Sequence, residues 1–161
     1  MGRPRRPRVI GLISDTHGLL RPEVFGALAG VEQILHAGDV GGDEILDELG
    51  AIAPVLAVRG NTDPSDDPRL PDERTLTVGD VRVHVSHGHE VGPPTPARLL
   101  ARYDADVLIY GHTHRPLVVA QDGRWVVNPG AAGARRFDLR PSVARLRVTG
   151  RAVEVEVVEL E

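Results

Sequence analysis

The sequence lacks cysteine, which excludes disulfides and any metal site built on thiolate ligands. The metal ligands that remain available are the side chains of His, Asp, Glu and Asn. Lysine is also absent, so all 19 basic residues are arginines. No apolar run approaches the length needed to span a bilayer. The first apolar segment is short and is interrupted by Asp15, so we expect no secretory signal and a cytoplasmic location.

A broad basic surface is missing as well, since the formal net charge is −4. This charge balance argues against a dedicated nucleic-acid domain. Arginines do cluster near the start of the chain, where residues 1–7 are expected to form a flexible Arg/Pro-rich tail. A length of 161 residues suits one buried core, so we predict a single domain over residues 1–161.

The apolar pattern predicts a βαβ arrangement at the front of the chain and antiparallel strands at the back. Strands are expected at 8–14, within 31–39, and at 55–58, 81–85 and 106–110. Helices are expected at 22–29, 43–53 and 95–105. The Pro/Asp-rich residues 62–73 predict a loop. Three hairpin-like strands are expected after His114, with turns at Asp122-Gly123 and near Thr149-Gly150.

Five of the predicted strands are each followed by side chains of the kind that bind metals. The strand ends read "SDTHG", "HAGDVG", "RGNTD", "SHGHE" and "YGHTH". Functional groups in open α/β sheets gather beyond the carboxyl ends of the strands, so these loops are expected to converge. The candidate ligands are Asp15, His17, Asp39, Asn61, His87, His112 and His114.

These candidates are too many for one ion, and they favour two divalent ions that share a carboxylate. A mixture of imidazole, carboxylate and amide ligands suits Mn, and also Fe, Zn, Ni or Co, better than Mg or Ca. In an extended segment residues i and i+2 point the same way, so Asp15 and His17 can act as a pair. His112 and His114 can do the same.

The motifs "SDTHG", "GDVGG", "GNTD", "SHGH" and "YGHTH", in this order, resemble the calcineurin-like metallophosphoesterase superfamily. The resemblance is to its small single-domain branch of YfcE-type phosphodiesterases, and "NPGA" at 128–131 resembles that branch too. It extends from about residue 8 to residue 160. It implies a four-layer α/β/β/α sandwich with two central mixed sheets, the metallophosphoesterase fold.

The resemblance also implies how the ligands divide between the ions. Asp15, His17 and His114 would hold the first ion, Asn61, His87 and His112 the second, and Asp39 would bridge them. The reaction implied is hydrolysis of a small phosphodiester by in-line attack of metal-bound hydroxide, with Asp39 and Asn61 at the catalytic centre.

The chain departs from the superfamily pattern at Thr62, where many members carry a histidine that assists the leaving group. Asp63 matches the acidic position that follows. His89 is a possible substitute for the missing histidine, although an ordinary loop histidine is an equally good interpretation. His36 is expected to support the ligands from behind, and His84 is expected to be a plain strand residue.

The alternative to an enzyme is a non-catalytic scaffold or protein-binding module, because a retromer scaffold subunit resembles these enzymes in fold. A scaffold has no reason to keep all seven ligands, so the complete set favours the enzyme. A related DNA nuclease would need further domains and a basic surface. Exposed strand edges allow a homodimer.

Overall fold

The computed structural model describes residues 6–136 and 138–161, so most of the expected N-terminal tail, residues 1–5, lies outside the described residues. The strands are β1 (Arg8–Ile13), β2 (Gln33–His36), β3 (Val55–Ala57), β4 (Glu73–Val78), β5 (Val81–Ser86), β6 (Val107–Ile109), β7 (Leu117–Gln121), β8 (Arg124–Asn128), β9 (Ser142–Thr149) and β10 (Ala152–Glu159). The helices are α1 (Glu23–Ala27), α2 (Asp43–Leu49) and α3 (Pro96–Arg102), and a 3₁₀ turn covers His89–Val91. No helix in the described ranges is long and apolar enough to cross a membrane.

The strands form two five-stranded sheets, and both sheets are mixed. The first has the order β10-β9-β1-β2-β3, with β1, β2 and β3 parallel and β9 antiparallel to both of its neighbours. The second has the order β4-β5-β6-β8-β7, with β5, β6 and β8 parallel and antiparallel strands at its edges. This arrangement confirms the two mixed sheets that the resemblance implied.

The apolar side chains are divided among three buried clusters. Between the sheets, Leu12 of β1 packs in one cluster with Val85 of β5 and other alternate residues of both sheets. On the outer face of the first sheet, α1 and α2 bury residues such as Leu46. On the outer face of the second sheet, α3 buries Leu99. The order is therefore helices, sheet, sheet, helix, which confirms the four-layer sandwich.

Several local expectations were wrong. The first residue of β4, Glu73, was expected in a loop, and no strand was expected over the residues that follow it. The segment is polar, and its side chains alternate between exposed and half-buried because β4 is an edge strand. Four strands, not three, follow His114, and β8 lies parallel to β6. The helix expected at 43–53 ends at Leu49, and Gly50, a poor helix former, follows as its C-cap residue.

The parallel strands bring their carboxyl ends to one edge of the sandwich, as the strand-end argument requires. Within the first sheet, the Asp15 N–H donates to the Gly38 carbonyl over 3.0 Å. Within the second, the Gly111 N–H donates to the His87 carbonyl over 3.0 Å. The two sheets are joined where the His112 N–H donates to Asp15 Oδ2 over 3.1 Å. The loops that follow β1, β2, β5 and β6 therefore meet.

Candidate metal centre

Most of the candidate ligands have an unusual backbone conformation. Asp15, His17, Asp39, His112 and His114 have positive φ angles between 46° and 69°, in the left-handed region. In the described part of the chain, Asp122 in a hairpin turn is the one other non-glycine residue with positive φ. Strained conformations of this kind persist when the surrounding structure enforces them, and they cluster at functional sites.

One group of ligand atoms lies around Asp15. Its Oδ1 atom is 3.3 Å from His114 Nε2 and 3.6 Å from His17 Nε2. Asp39 Oδ2 lies 3.5 Å from the same His17 nitrogen. The ligand atoms of Asp15, His17 and His114 are close enough together to share one ion, and so are those of Asp15, Asp39 and His87.

A second group lies around His87. Its Nε2 atom is 3.3 Å from Asp39 Oδ2 and 3.3 Å from His112 Nδ1. The Asn61 side-chain oxygen lies 3.2 Å from the same His112 nitrogen. Asp39 Oδ2 is thus near both groups, and the structure brings all seven candidate ligands together.

The hydrogen bonds in the site leave the ligand atoms available. The Ser14 hydroxyl donates to Asp15 Oδ2 over 2.6 Å, but the buried Oδ1 accepts no hydrogen bond from the described residues. Because the Ala37 carbonyl can only accept, His87 donates from Nδ1 over 2.8 Å, and the neutral ring keeps a lone pair at Nε2. An unpaired buried carboxylate oxygen that faces imidazole nitrogens fits a divalent ion.

The carboxylates are charged at neutral pH. Burial by itself would raise the pKa of Asp15, but the nearby imidazoles of His114 and His17 and the hydrogen bond from Ser14 lower that pKa far below its ordinary value. Burial also opposes ionisation of Asp39, but His87 and Thr62 lower its pKa to about 2. The pKa of His87 would fall on burial, but the Asp39 and Asp15 carboxylates raise it. The site therefore concentrates negative charge in a place that a cation can neutralise.

Thr62 does more than stand where a histidine was expected. Its N–H and its hydroxyl donate to Asp39 Oδ1 over 3.0 and 2.8 Å. This pair of bonds holds the carboxylate so that its other oxygen faces both groups of ligands. Sequence reasoning missed this contact, because Thr62 was considered only for the group it lacks.

Asp63 and His36 lie behind the ligands and hold their loops together. Asp63 accepts hydrogen bonds from the N–H groups of Gly60, Val40 and Gly41, at 2.9 to 3.3 Å. His36 accepts the Gly38 N–H at Nδ1, and its Nε2 lies 3.0 Å from the Thr16 hydroxyl. Full burial lowers the pKa of His36 to about 4. His36 is therefore a neutral hydrogen-bonding residue at pH 7.

His89 lies beside the second group of ligands. Its ring centroid is 5.3 Å from that of His87 and 6.2 Å from that of His112. It also lines a polar cavity of about 440 Å³. Burial and the neighbouring His87 lower its pKa. His84, in contrast, stacks on Tyr103 with 3.8 Å between the ring centroids, and it belongs to neither ligand group.

Two glycines that sequence reasoning did not single out, and an asparagine from the "NPGA" motif, also shape the site. A side chain at Gly60 would meet Asp39, and one at Gly111 would meet Ser14 and Asp15. Asn128 donates to the Gly111 carbonyl and the Thr113 hydroxyl, at 3.1 and 3.0 Å. The "NPGA" motif marked Asn128, but "RGN" and "YGH" are too short to reveal the glycine contacts.

Comparison with known proteins agrees with this geometry. A family model of the calcineurin-like phosphoesterase superfamily domain matches residues 9–151. A probable metallophosphoesterase of Methanothermobacter thermautotrophicus is 41% identical over an alignment of 160 residues, and the alignment covers 93% of this chain and 91% of that protein.

Two solved structures are similar along nearly the whole chain. Vps29 of Entamoeba histolytica, solved with Zn²⁺, has a TM-score of 0.77 and 26% identity, and the match covers 95% of this chain and 99% of that one. A structure described as a novel archaeal phosphodiesterase has a TM-score of 0.73 and 25% identity, with 93% and 99% covered.

Proposed function

We propose that this chain, which belongs to the calcineurin-like phosphoesterase superfamily, is a phosphodiesterase that depends on two divalent metal ions. Family membership and the named relatives support a phosphoesterase. Similarity to an archaeal phosphodiesterase supports diesters as the substrates. The observation that carries the proposal is the position of Asp39 Oδ2, 3.5 Å from His17 Nε2 and 3.3 Å from His87 Nε2.

We divide the ligands between the two ions in the way that the resemblance implies. Asp15, His17 and His114 would hold one ion, Asn61, His87 and His112 the other, and Asp39 both. When bound, such ions neutralise phosphate charge and activate water for in-line attack. Mixed nitrogen and oxygen ligands favour Mn, with Fe, Zn, Ni and Co as alternatives.

The residues of the chain position the ligands and the substrate. Thr62 directs Asp39, because its two donors occupy Oδ1 and leave Oδ2 facing the ligand groups. The Asn61 side-chain oxygen lies 3.2 Å from His112 Nδ1, so Asn61 would hold the second ion through this oxygen and would have its amide N–H groups left to bind a phosphate oxygen. Neither residue needs to form a covalent bond to phosphorus.

His89 is the residue we assign to the departing alcohol. It lies on the side of the second ligand group and lines a polar cavity that can hold this alcohol. Burial and the neighbouring His87 lower its pKa, which favours the neutral ring over the protonated ring that a general acid needs. Diesters with acidic leaving groups, which need little protonation, should therefore be the better substrates.

Three further assignments belong to the proposal. The substrate is a small phosphoester, because the site is an open edge of the sandwich with no added domain beside it in the described ranges. The absence of a membrane-spanning pattern in the sequence supports a cytoplasmic enzyme. The edge strand β10, eight residues long, supports a homodimer.

Similarity to Vps29, a vacuolar protein sorting protein, supports one alternative, a non-catalytic protein-binding role. Hydrolysis of bis(p-nitrophenyl) phosphate by the Mn-loaded protein separates the two. We expect turnover that is lost in Asp39→Asn by about a thousandfold, since metal-ion charge stabilisation is worth several kcal/mol. A Mn-loaded, folded protein that hydrolyses neither monoesters nor diesters would favour the protein-binding role.

A further inference from the structure

A second cavity, of about 490 Å³, lies beside the loop that carries His112 and His114. It differs from the polar cavity at His89, because its lining is mostly apolar. The lining includes Pro94, Tyr110, Thr113, Pro116, Leu117 and Leu139. We call it the proline groove.

The proline groove is lined by sequence neighbours of the candidate ligands and by none of the seven ligands themselves. Thr113 lies between the two ligand histidines of "HTH", and Tyr110 lies two residues before the first of them. The opposite wall is attached to the other ligand loop. A Cβ atom at Gly88, which follows His87, would lie 3.2 Å from both Pro94 and Tyr110.

The walls of the groove are held in place. Asn128 donates to the Thr113 hydroxyl over 3.0 Å, and proline restricts the backbone at 94 and 116. Leu117 and Leu139 are half-buried, so each presents part of its side chain to the groove. A preformed apolar groove binds a rigid apolar group without the entropy loss of ordering a loop.

We propose that the proline groove binds the ester group that stays on phosphorus, and that this group is flat and apolar, such as an aromatic ring. The proposal rests on the phosphodiesterase function proposed above. In the reaction, a water oxygen bonds to phosphorus, and the bond from phosphorus to the departing alcohol breaks. The attacking water loses a proton to the solvent, and the departing oxygen keeps the electron pair of the broken bond and takes a proton from water in the polar cavity at His89. The retained group leaves the groove as part of a monoester.

The two cavities have different chemistry, and this difference supports the assignment. A monoester has one ester group, which the polar cavity would accommodate, and would leave the proline groove unused. A diester has a second group that must lie on another side of the phosphate. Thr113, which lines the groove, lies between His112 and His114 in the chain, so the groove adjoins the loop that carries ligands we assign to both ions.

The test compares two diesters with the same leaving group, phenyl p-nitrophenyl phosphate and methyl p-nitrophenyl phosphate. After division by the uncatalysed rates, kcat/KM of the Mn-loaded protein should favour the phenyl ester by about tenfold or more. Leu117→Asn and Leu139→Asn should each lower this preference severalfold, mainly by slowing hydrolysis of the phenyl ester. Val118→Asn is the control, because Val118 is an exposed neighbour of Leu117 outside the lining.

A binding measurement tests the proposed groove independently of the rate of hydrolysis. Phenylphosphonate should bind the Mn-loaded protein more tightly than methylphosphonate in calorimetry, and Leu117→Asn should remove the difference. Selective binding without hydrolysis of any ester would overturn the proposed function alone. Hydrolysis with equal preference for the two diesters, or equal binding of the two phosphonates, would overturn the groove alone. A third outcome would assign the groove to a protein partner instead. In that outcome the protein shows no preference for the phenyl diester over the methyl diester, and a proline-rich peptide competes with phenylphosphonate for binding.

Discussion

The two oxygens of Asp39 have different neighbours, and this difference explains much of the site. Oδ1 accepts both hydrogen bonds from Thr62, whereas Oδ2 faces His17 and His87. A carboxylate fixed at one oxygen is preorganised to use the other as a shared ligand. Thr62 therefore has a positive role in this chain, and the position is more than a lost histidine.

The hydroxyl of Thr62 can be tested separately from its backbone. Thr62→Val removes the 2.8 Å bond to Asp39 and keeps the N–H bond and nearly the same shape. Hydrogen bonds to charged groups are worth about 1.5–3 kcal/mol, so we expect kcat/KM to fall by roughly ten- to a hundredfold. Thr62→Ser should retain most activity. Equal kcat/KM in Thr62→Val and wild type, at equal metal content, would show that the hydroxyl does not orient Asp39.

His36 predicts how stability changes with pH in the metal-free protein. Its pKa is about 4 in the folded chain against an ordinary value of 6.5, so the unfolded chain takes up this proton first as the pH falls. Stability is therefore lost between pH 6.5 and 4, by about 2 kcal/mol between pH 7 and 5. Urea unfolding at the two pH values, with EDTA, measures the loss.

His36→Asn is the matched variant for that measurement. The Asn side chain can accept a hydrogen bond from the Gly38 N–H but does not titrate. The variant should therefore lack the part of the stability loss at low pH that His36 causes. His17 and His87 have raised pKa values, so they stabilise the folded protein as the pH falls. Wild type and His36→Asn both contain these two histidines, so their effect cancels in the comparison. An identical pH dependence in the two proteins would contradict the assignment.

At the scale of elements, the strand-end loops were predictable because continuous apolar runs such as "VIGLI" and "VLIY" end abruptly at Asp, Asn or His. That pattern, with the family resemblance, was enough to predict the sandwich and to select the seven candidate ligands. The polar edge strand β4 could not be predicted, because "ERTLTV" has no strong apolar signal and becomes a strand by pairing with β5. The bond from Thr62 to Asp39 depends on two loops that approach only in the fold.

The close approach of the loops after β2 and β3 depends on Gly60. In Gly60→Ala the added Cβ would meet the Asp39 backbone and carboxylate, so the loops must separate. Overpacking of this kind destabilises by about 1–3 kcal/mol, and metal affinity and turnover should fall with it. Thermal unfolding and metal titration measure both effects.

Gly26→Ala is the control for that prediction. Gly26 lies within α1, and a Cβ there meets nothing within 4 Å. Because alanine is the better helix former, the variant should be more stable by about 0.5–1 kcal/mol and fully active. If Gly60→Ala behaved like Gly26→Ala, the tight packing against Asp39 would have no consequence for the site.

At the scale of the whole molecule, the two sheets carry different ligands to a shared edge. Asp15, His17, Asp39 and Asn61 follow strands of the first sheet, and His87, His112 and His114 follow strands of the second. Ions bound between them would cross-link the sandwich. We therefore expect added Mn to raise the unfolding temperature, with a stabilisation of about 2.7 kcal/mol at a hundred times the dissociation constant. An unchanged unfolding temperature at saturating Mn would contradict the cross-link.

The most direct test of the account is the metal content of the purified, Mn-reconstituted protein, measured with hydrolysis of bis(p-nitrophenyl) phosphate on the same samples. We predict two ions in the wild type and loss of about one ion in His112→Ala and in His114→Ala, with activity lost in both. Asp39→Asn should weaken both sites. Two ions retained in both histidine variants, or full diester hydrolysis by wild type after chelation, would contradict a catalytic centre built from these residues.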